Sequence, residues 1–245
     1  MRPDGLLKAA SGPVPGSAPC PVSEANRLRA GAQHLGVELS DQQVSVLLSY
    51  LDLLQHWNAT YNLTAVRERE AMLTQHLLDC IAVVPALRRA LPQGGRMLDV
   101  GSGGGLPGVV AAALIDGLEV TCVDAVGKKA AFVQQVAGTL GLRRLSSVHA
   151  RVEQLKLPPF DLITARAFAS LADQVRLTRT QLAPGGRWMA MKGQRPDDEI
   201  ASVPSDVEVF HVEQLDVPGL GAERCLIWMR LKSDAPNTQV PRAPL

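Results

Sequence analysis

Along residues 24 to 90 apolar side chains recur every three or four positions, whereas beyond residue 94 they gather into short runs separated by helical stretches. The first rhythm is that of amphipathic helices. Ser23 stands as the N-cap of a helix that reaches about Leu35 and is stopped by Gly36. Ser40 and Gln43 form a capping box that opens a second helix, with Val44, Leu47, Leu48, Leu51 and Leu54 along one stripe. The turn-prone residues 58–64 (NATYNLT) interrupt the pattern. A third helical stretch starts near Glu68 and carries Met72, His76, Leu77, Cys80, Val83, Val84 and Leu87. No apolar run approaches the ~20 residues that span a bilayer.

The second rhythm predicts strands at 97–100, 118–123, 147–149, 160–164, 187–191, 207–212 and 225–231, with helices at 107–114, 128–140 and 171–182. Alternation of this kind gives an α/β fold with a mostly parallel sheet covered on both faces. The last two strands have no long helix between them, only a connection containing Gly219 and Gly221. They are expected to pair antiparallel at the sheet edge, so the terminal strand is antiparallel. The boundaries follow: a disordered extension over 1–23, a small helical N-terminal region over 24–93, the sheet domain over 94–233 and a disordered tail over 234–245. Both ends are too rich in Pro, Gly, Ala and Ser to bury much apolar surface.

Composition narrows this picture without naming a function. A formal charge of +1 over 245 residues gives no sign of a strongly basic nucleic-acid binder, though a local patch remains open. Cys20, Cys80, Cys122 and Cys225 are scattered without metal-ligand spacing, so neither a zinc site nor a disulfide framework is expected. Residues 1–23 carry Arg2 and Lys8 but lack the continuous apolar stretch of a signal peptide. The expectation is a monomeric, cytoplasmic globular protein without a metal.

The chemistry concentrates in Leu98-Asp99-Val100-Gly101-Ser102-Gly103-Gly104-Gly105-Leu106-Pro107-Gly108, a strand running through a glycine turn into a helix. Glycines let the backbone turn sharply and a ligand approach it closely, and Pro107 suits a first helical turn. Gly103, Gly105 and Gly108 satisfy G-x-G-x-x-G, so the pattern alone fits a dinucleotide or S-adenosylmethionine. Asp99 ahead of the turn shifts the balance. A carboxylate there suits a cationic methionine group and opposes a pyrophosphate at a helix N-terminus. Asp124 ends the next strand, where an acid accepts ribose hydroxyls at roughly 1.5–3 kcal/mol per charge-assisted bond.

Further motifs stand in order around this loop: Asn58, Tyr61-Asn62-Leu63-Thr64, His76-x-x-Asp79, Gly127-Lys128-Lys129, Arg151-Val152-Glu153, Arg166-Ala167-Phe168-Ala169-Ser170-Leu171 and Lys192-Gly193-Gln194. With them the chain, from about Val37 to Leu231, resembles the bacterial small-subunit ribosomal RNA guanine-N7 methyltransferases, the RsmG/GidB family. The resemblance implies a class I, Rossmann-like methyltransferase fold. It also implies S-adenosylmethionine as methyl donor and a single guanine N7 of 16S rRNA, in the small ribosomal subunit or its precursor, as acceptor. Cofactor contacts carried over by motif are Gly101 and Leu106 in the loop, Val152 and Glu153 beside the adenine, and Arg166 at the sheet edge; Gly103, Asp99 and Asp124 complete the set. Cys80, Ala125 and Ala165 stand where the family pattern has serine, which puts nearby hydrogen bonds in doubt.

Guanine N7 has an in-plane lone pair and needs no general base, so no catalytic dyad is expected; Arg166 and Glu153 are positioning candidates. The RNA-binding candidates are Lys128, Arg166, Asn58 and Phe168. Arg67, Arg69, Lys129, Arg143 and Arg144 join Lys128 as a conceivable phosphate rim. Several residues keep two readings: Asn58 and Asn62 as caps or as readers of a guanine edge, and Trp57 and Tyr61 as core or as stacking platforms. His76 with Asp79 reads as a structural pair or an RNA contact, and Phe168 as sheet packing or a base stack.

Overall fold

The computed structural model describes residues 23–232. Apart from Ser23, the segments expected to be disordered, 1–23 and 234–245, lie outside the described residues. Ser23 caps α1 (Glu24–His34), its hydroxyl accepting the Asn26 N–H at 3.2 Å. The reciprocal capping box opens α2 (Asp41–Tyr61): Gln43 N–H donates to Ser40 Oγ at 3.2 Å and Ser40 N–H to Gln43 Oε1 at 3.0 Å. Asn62, in the left-handed region at φ +50°, ends the helix.

The third helical stretch is one run with an inserted irregularity. α3 (Arg69–Met72) passes into a π-helical turn (Leu73–Leu78), then α4 (Asp79–Ile81), and α5 (Val84–Ala90) restarts around Pro85. A π turn adds a residue to the helical cycle and so turns the residues after it to a new face. By length and composition Arg69–Ala90 is long and apolar enough to cross a membrane, in contrast to the sequence expectation, but 72% of its apolar 18-residue stretch is buried inside the fold. It is a core run.

All seven expected strands are present: β1 (Gly95–Val100), β2 (Leu118–Asp124), β3 (Leu145–His149), β4 (Phe160–Arg166), β5 (Leu182–Lys192), β6 (Val207–Leu215) and β7 (Arg224–Leu231). They form one sheet in the order β3-β2-β1-β4-β5-β7-β6. β7 runs antiparallel to both β5 and β6, and the remaining named pairs are parallel. The terminal reversal is therefore real, with β7 inserted between β5 and β6 and β6 on the outside. Side chains alternate between two cores: Met97, Val120, Cys122, Leu162 and Met189 face one, and Leu98, Val123, Ile163, Trp188 and Ile227 the other. α2, α6 (Gly108–Leu114) and α7 (Gly127–Thr139) pack on the first face, and α8 (Leu171–Thr178) on the second.

The helix expected over 171–182 stops earlier. A 3-10 turn (Arg179–Gln181) follows α8, and Leu182 already pairs with Phe160. β5 accommodates the start through a register shift between Phe160 and Leu162, with Gly185 at φ +76°. A short α9 (Asp197–Ala201), absent from the sequence reading, follows β5. Register places the site: Val100 lies level with Val123 and Ala165, so β1, β2 and β4 end together at the point where strand order reverses. Open α/β sheets bind their ligands at that crevice.

Candidate active site

The glycine loop leaves β1 with the Gly101 and Ser102 N–H groups both on the Val123 carbonyl, at 2.8 and 3.3 Å. Gly101, Gly103 and Gly105 sit at φ +64°, +57° and +84°, a region that favours glycine. A Cβ on Gly105 would lie 2.6 Å from Val109 Cγ2, whereas one on Gly103 would meet nothing closer than the Gly101 carbonyl at 4.0 Å. Packing thus requires one glycine, while the other borders open space. Tyr50 of α2, buried, donates its hydroxyl to the Gly104 carbonyl at 2.7 Å and ties the helical region to the loop.

Two hollows meet over Gly101. The smaller, about 220 Å³, is bordered by Asp124, Val152, Glu153 and Phe168. The larger, about 460 Å³, is bordered by Gly103, Leu106, Arg166, His76, Lys192 and Arg224. Gly101 belongs to both. The chain thereby brings Gly101, Gly103, Leu106, Asp124, Val152, Glu153 and Arg166, all expected around one ligand, to two neighbouring hollows that share Gly101. Asp124 uses Oδ2 to accept the Gly103 N–H at 3.0 Å and Oδ1 to accept the Val126 N–H at 2.8 Å, which leaves each oxygen a further lone pair.

Asp99 departs from the expected direct contact with a methionine group. It is fully buried beneath the loop, where Oδ2 accepts the N–H of Gly108, the first residue of α6, at 2.9 Å. The free N–H groups of a helix start attract a carboxylate, and this one is adjacent in the fold. Oδ1 has no partner among the described residues, and burial pushes the carboxyl up to about 7 against the opposing pull of the Gly108 bond.

Charge in the larger hollow is organised by Asp79, 1% exposed. Its Oδ1 accepts from Arg224 Nε at 2.7 Å and its Oδ2 from Arg166 Nη1 at 3.2 Å. Arg166 also donates to the Gln75 carbonyl at 3.1 Å. Lys192, at the end of β5, is held by Glu199 of α9 at 2.8 and 3.0 Å. His76 does not pair with Asp79, although both border the hollow: its Nε2 lies 2.9 Å from Thr64 Oγ1. Burial, helped by the Arg166 charge, pushes the imidazole down to about 4, so it is neutral near pH 7.

The RNA candidates separate by position. Asn58 is 3% exposed and caps the turn after α2, with Oδ1 accepting the Thr64 N–H at 2.9 Å and Nδ2 donating to the Val66 carbonyl at 3.4 Å. Its amide serves the loop, and the cap reading holds in place of a contact surface. Lys128 is exposed at the start of α7, three residues beyond Ala125, which borders the smaller hollow, with no carboxylate partner among the described residues. Phe168 packs its ring on Gly101, where an added Cβ would lie 2.5 Å from Cδ2. Of the conceivable rim, Arg69 is engaged by Glu24 and Asp52. Arg143 and Arg144 precede β3, at the opposite end of the strands. Trp57 packs on Phe132 with centroids 5.5 Å apart, and Tyr61 beyond it is 41% exposed. Tyr50, Gln75 and Arg224 carried no signal in the sequence. Cys80, Cys122 and Cys225 are buried free thiols.

Comparison with known proteins bears on the fold and on the family. A solved methyltransferase from Burkholderia thailandensis, holding 1,6-didemethyltoxoflavin and S-adenosylhomocysteine, shares the fold: TM-score 0.52, 16% identity, 75% of this chain and 89% of that one. Curated relatives are far nearer in sequence. Ribosomal RNA small subunit methyltransferase G of Leptothrix cholodnii is 60% identical over 209 residues, covering 85% of this chain and 96% of its own. The protein of that name from Acidovorax sp. (strain JS42) is 58% identical over 212 residues, covering 83% and 93%. With residues 43–227 also matching the family described as GidB, rRNA small subunit methyltransferase G, the chain belongs to that family.

Proposed function

We propose that this protein transfers a methyl group from S-adenosylmethionine to N7 of one guanine in the 16S RNA of the small ribosomal subunit. The observation that carries the reading is the cleft whose two hollows meet over Gly101, in a chain of this family. The residues fit the donor. Gly103 leaves a cradle that a side chain would fill, Asp124 keeps lone pairs for ribose hydroxyls, and Val152 with Glu153 borders the same hollow as Asp124. When bound, S-adenosylmethionine supplies an electrophilic methyl on a sulfonium.

The chain's own work is positional. Guanine N7 attacks through its in-plane lone pair and has no proton to lose, so the site needs no base. A neutral His76 suits that requirement, because a further fixed cation beside Arg166 and Arg224 would oppose the positive charge the purine gains. Leu54, Leu63, Leu106 and Met191 border the larger hollow and limit water there. Holding N7 in line with the methyl at near-attack distance supplies roughly 7–11 kcal/mol of the barrier. Arg166, fixed by Asp79, stands at the boundary between donor and acceptor space. Lys128 contributes phosphate attraction at the rim. Three buried free thiols suit a reducing cytoplasm.

Labelled-methyl transfer to undermethylated 30S subunits and to naked 16S RNA, with mapping of the modified base, tests the reading. Incorporation at one guanine N7 is expected; no incorporation into either substrate overturns it.

A further inference from the structure

We infer that His76 is a positioning residue for the acceptor base. Anchored through Nε2 to Thr64, its ring donates from Nδ1 to O6 of the guanine and so fixes the purine edge that carries N7. The inference rests on the function proposed above and goes beyond it by assigning the wall that reads the base.

Three observations converge on this histidine. First, it lies on the π-helical turn Leu73–Leu78, an irregularity that costs regular helical bonding and is frequent at functional sites. Second, it borders the larger hollow on the side contributed by the helical region, with Leu63, Thr64 and Gln75, while Gly101–Gly104 border it from the sheet domain. A donor lying on the loop therefore faces this wall across the space left for an acceptor. Third, His76 Nδ1 is buried without a well-formed hydrogen bond among the described residues: the only group drawing on the ring from that neighbourhood is the Gln75 carbonyl, which already accepts from Arg166 at 3.1 Å. Orphaned polar atoms of that kind cost stability and are rare in folded proteins.

The hydrogen-bond network sets the tautomer. Thr64 Oγ1 already accepts the Val66 N–H at 3.2 Å and lies 2.9 Å from His76 Nε2. Assigning its hydroxyl hydrogen, which has no other acceptor among the described residues, to Nε2 places the ring proton on Nδ1. Thr64 is itself held, its N–H donating to the buried Asn58 Oδ1 at 2.9 Å. Nδ1–H is thus the neutral donor of a ring that borders the hollow. Guanine presents two acceptors side by side on this edge, N7 and O6. A donor to O6 orients the base while leaving the N7 lone pair for the methyl. Adenine offers an amino group at that position and would set donor against donor, which gives the site a means of choosing guanine. Neutrality matters too, since Arg166 and Arg224 already place two cations against the single charge of Asp79.

The test compares His76→Asn, His76→Gln and His76→Phe. Asn places an amide where Nδ1 lies, whereas Gln places one where Nε2 lies and keeps the Thr64 contact. Steady-state methyl transfer to undermethylated 30S subunits gives kcat and KM, and calorimetry gives S-adenosylmethionine affinity. We expect His76→Phe to lower kcat roughly 100-fold, the scale of a misplaced reacting group. Asn should recover more of kcat than Gln, and all three variants should bind the donor within about twofold of the parent. Gln matching or exceeding Asn overturns the assignment. So does a loss of kcat that follows loss of donor affinity, which is the mark of a merely structural role. An unsubstituted enzyme that binds the donor but methylates no RNA overturns the proposed function and this inference with it; an active parent with insensitive variants overturns only the inference.

Discussion

Replacing Asp79 with Asn removes one negative charge from the interior and leaves the side-chain shape almost unchanged. The carboxylate is 1% exposed and receives Arg224 at 2.7 Å and Arg166 at 3.2 Å, from strands 145 and 87 residues away in sequence. An asparagine keeps an acceptor toward one arginine and turns its NH2 toward the other, so one guanidinium faces a donor. Removing one partner from a buried ion pair costs about 3–5 kcal/mol. Here the two arginine side chains retain 24% and 26% exposure, so water recovers part of their charge. The expectation discounts accordingly to about 2–3 kcal/mol. Urea denaturation reads this as a lower midpoint at unchanged slope. S-adenosylmethionine affinity should fall as well, because Arg166 loses the group that sets its position. A variant whose midpoint and donor affinity both match the parent would refute the view that Asp79 organises the cleft.

Gly103→Asp should abolish donor binding in calorimetry, because it puts a side chain at φ +57° in the open cradle and a second carboxylate beside Asp124; unchanged affinity sinks the loop assignment. Gly105→Ala acts differently. Its Cβ would lie 2.6 Å from Val109 and 3.0 Å from Val133 at φ +84°, so a loss of about 2–4 kcal/mol of stability is expected, and a stable variant would count against the packing described. Asp99 makes a pH prediction. Its carboxyl is raised to about 7 in the fold, so the folded state holds a proton that the unfolded chain releases near pH 4. Stability from this group is therefore lost as pH rises from about 4 through 7. Asp99→Asn, which keeps an oxygen for the Gly108 N–H, should gain on the parent across that window in urea titrations; a difference independent of pH contradicts the assignment.

Local signals carried far in this chain. The capping box at Ser40 and Gln43, the N-cap at Ser23 and the seven apolar runs each appear where the pattern puts them, because backbone satisfaction and two-sided burial act over a few residues. The helix end near residue 178 and the early start of β5 were not legible. Leu182 pairs with Phe160 through a bulge, and that long-range bond overrides the helical spacing. The π turn at Leu73–Leu78 left no trace in the apolar rhythm either, since its effect is to redirect Gln75, His76 and Asp79 toward a cleft formed by distant segments.

Neighbouring residues alone sufficed for the elements, the glycine loop and its carboxylates, and the motifs for the family. Those features are written in adjacent residues whose backbone conformations and burial are set locally. Which polar groups meet came instead from long-range packing. Asp99 went under the loop to the start of α6, and Asn58 to its own turn. Arg224, at the start of β7, came beside Lys192 because β7 runs antiparallel between β5 and β6. A buried charge or donor takes the partner that folding brings within about 3 Å, and that partner can be 145 residues away.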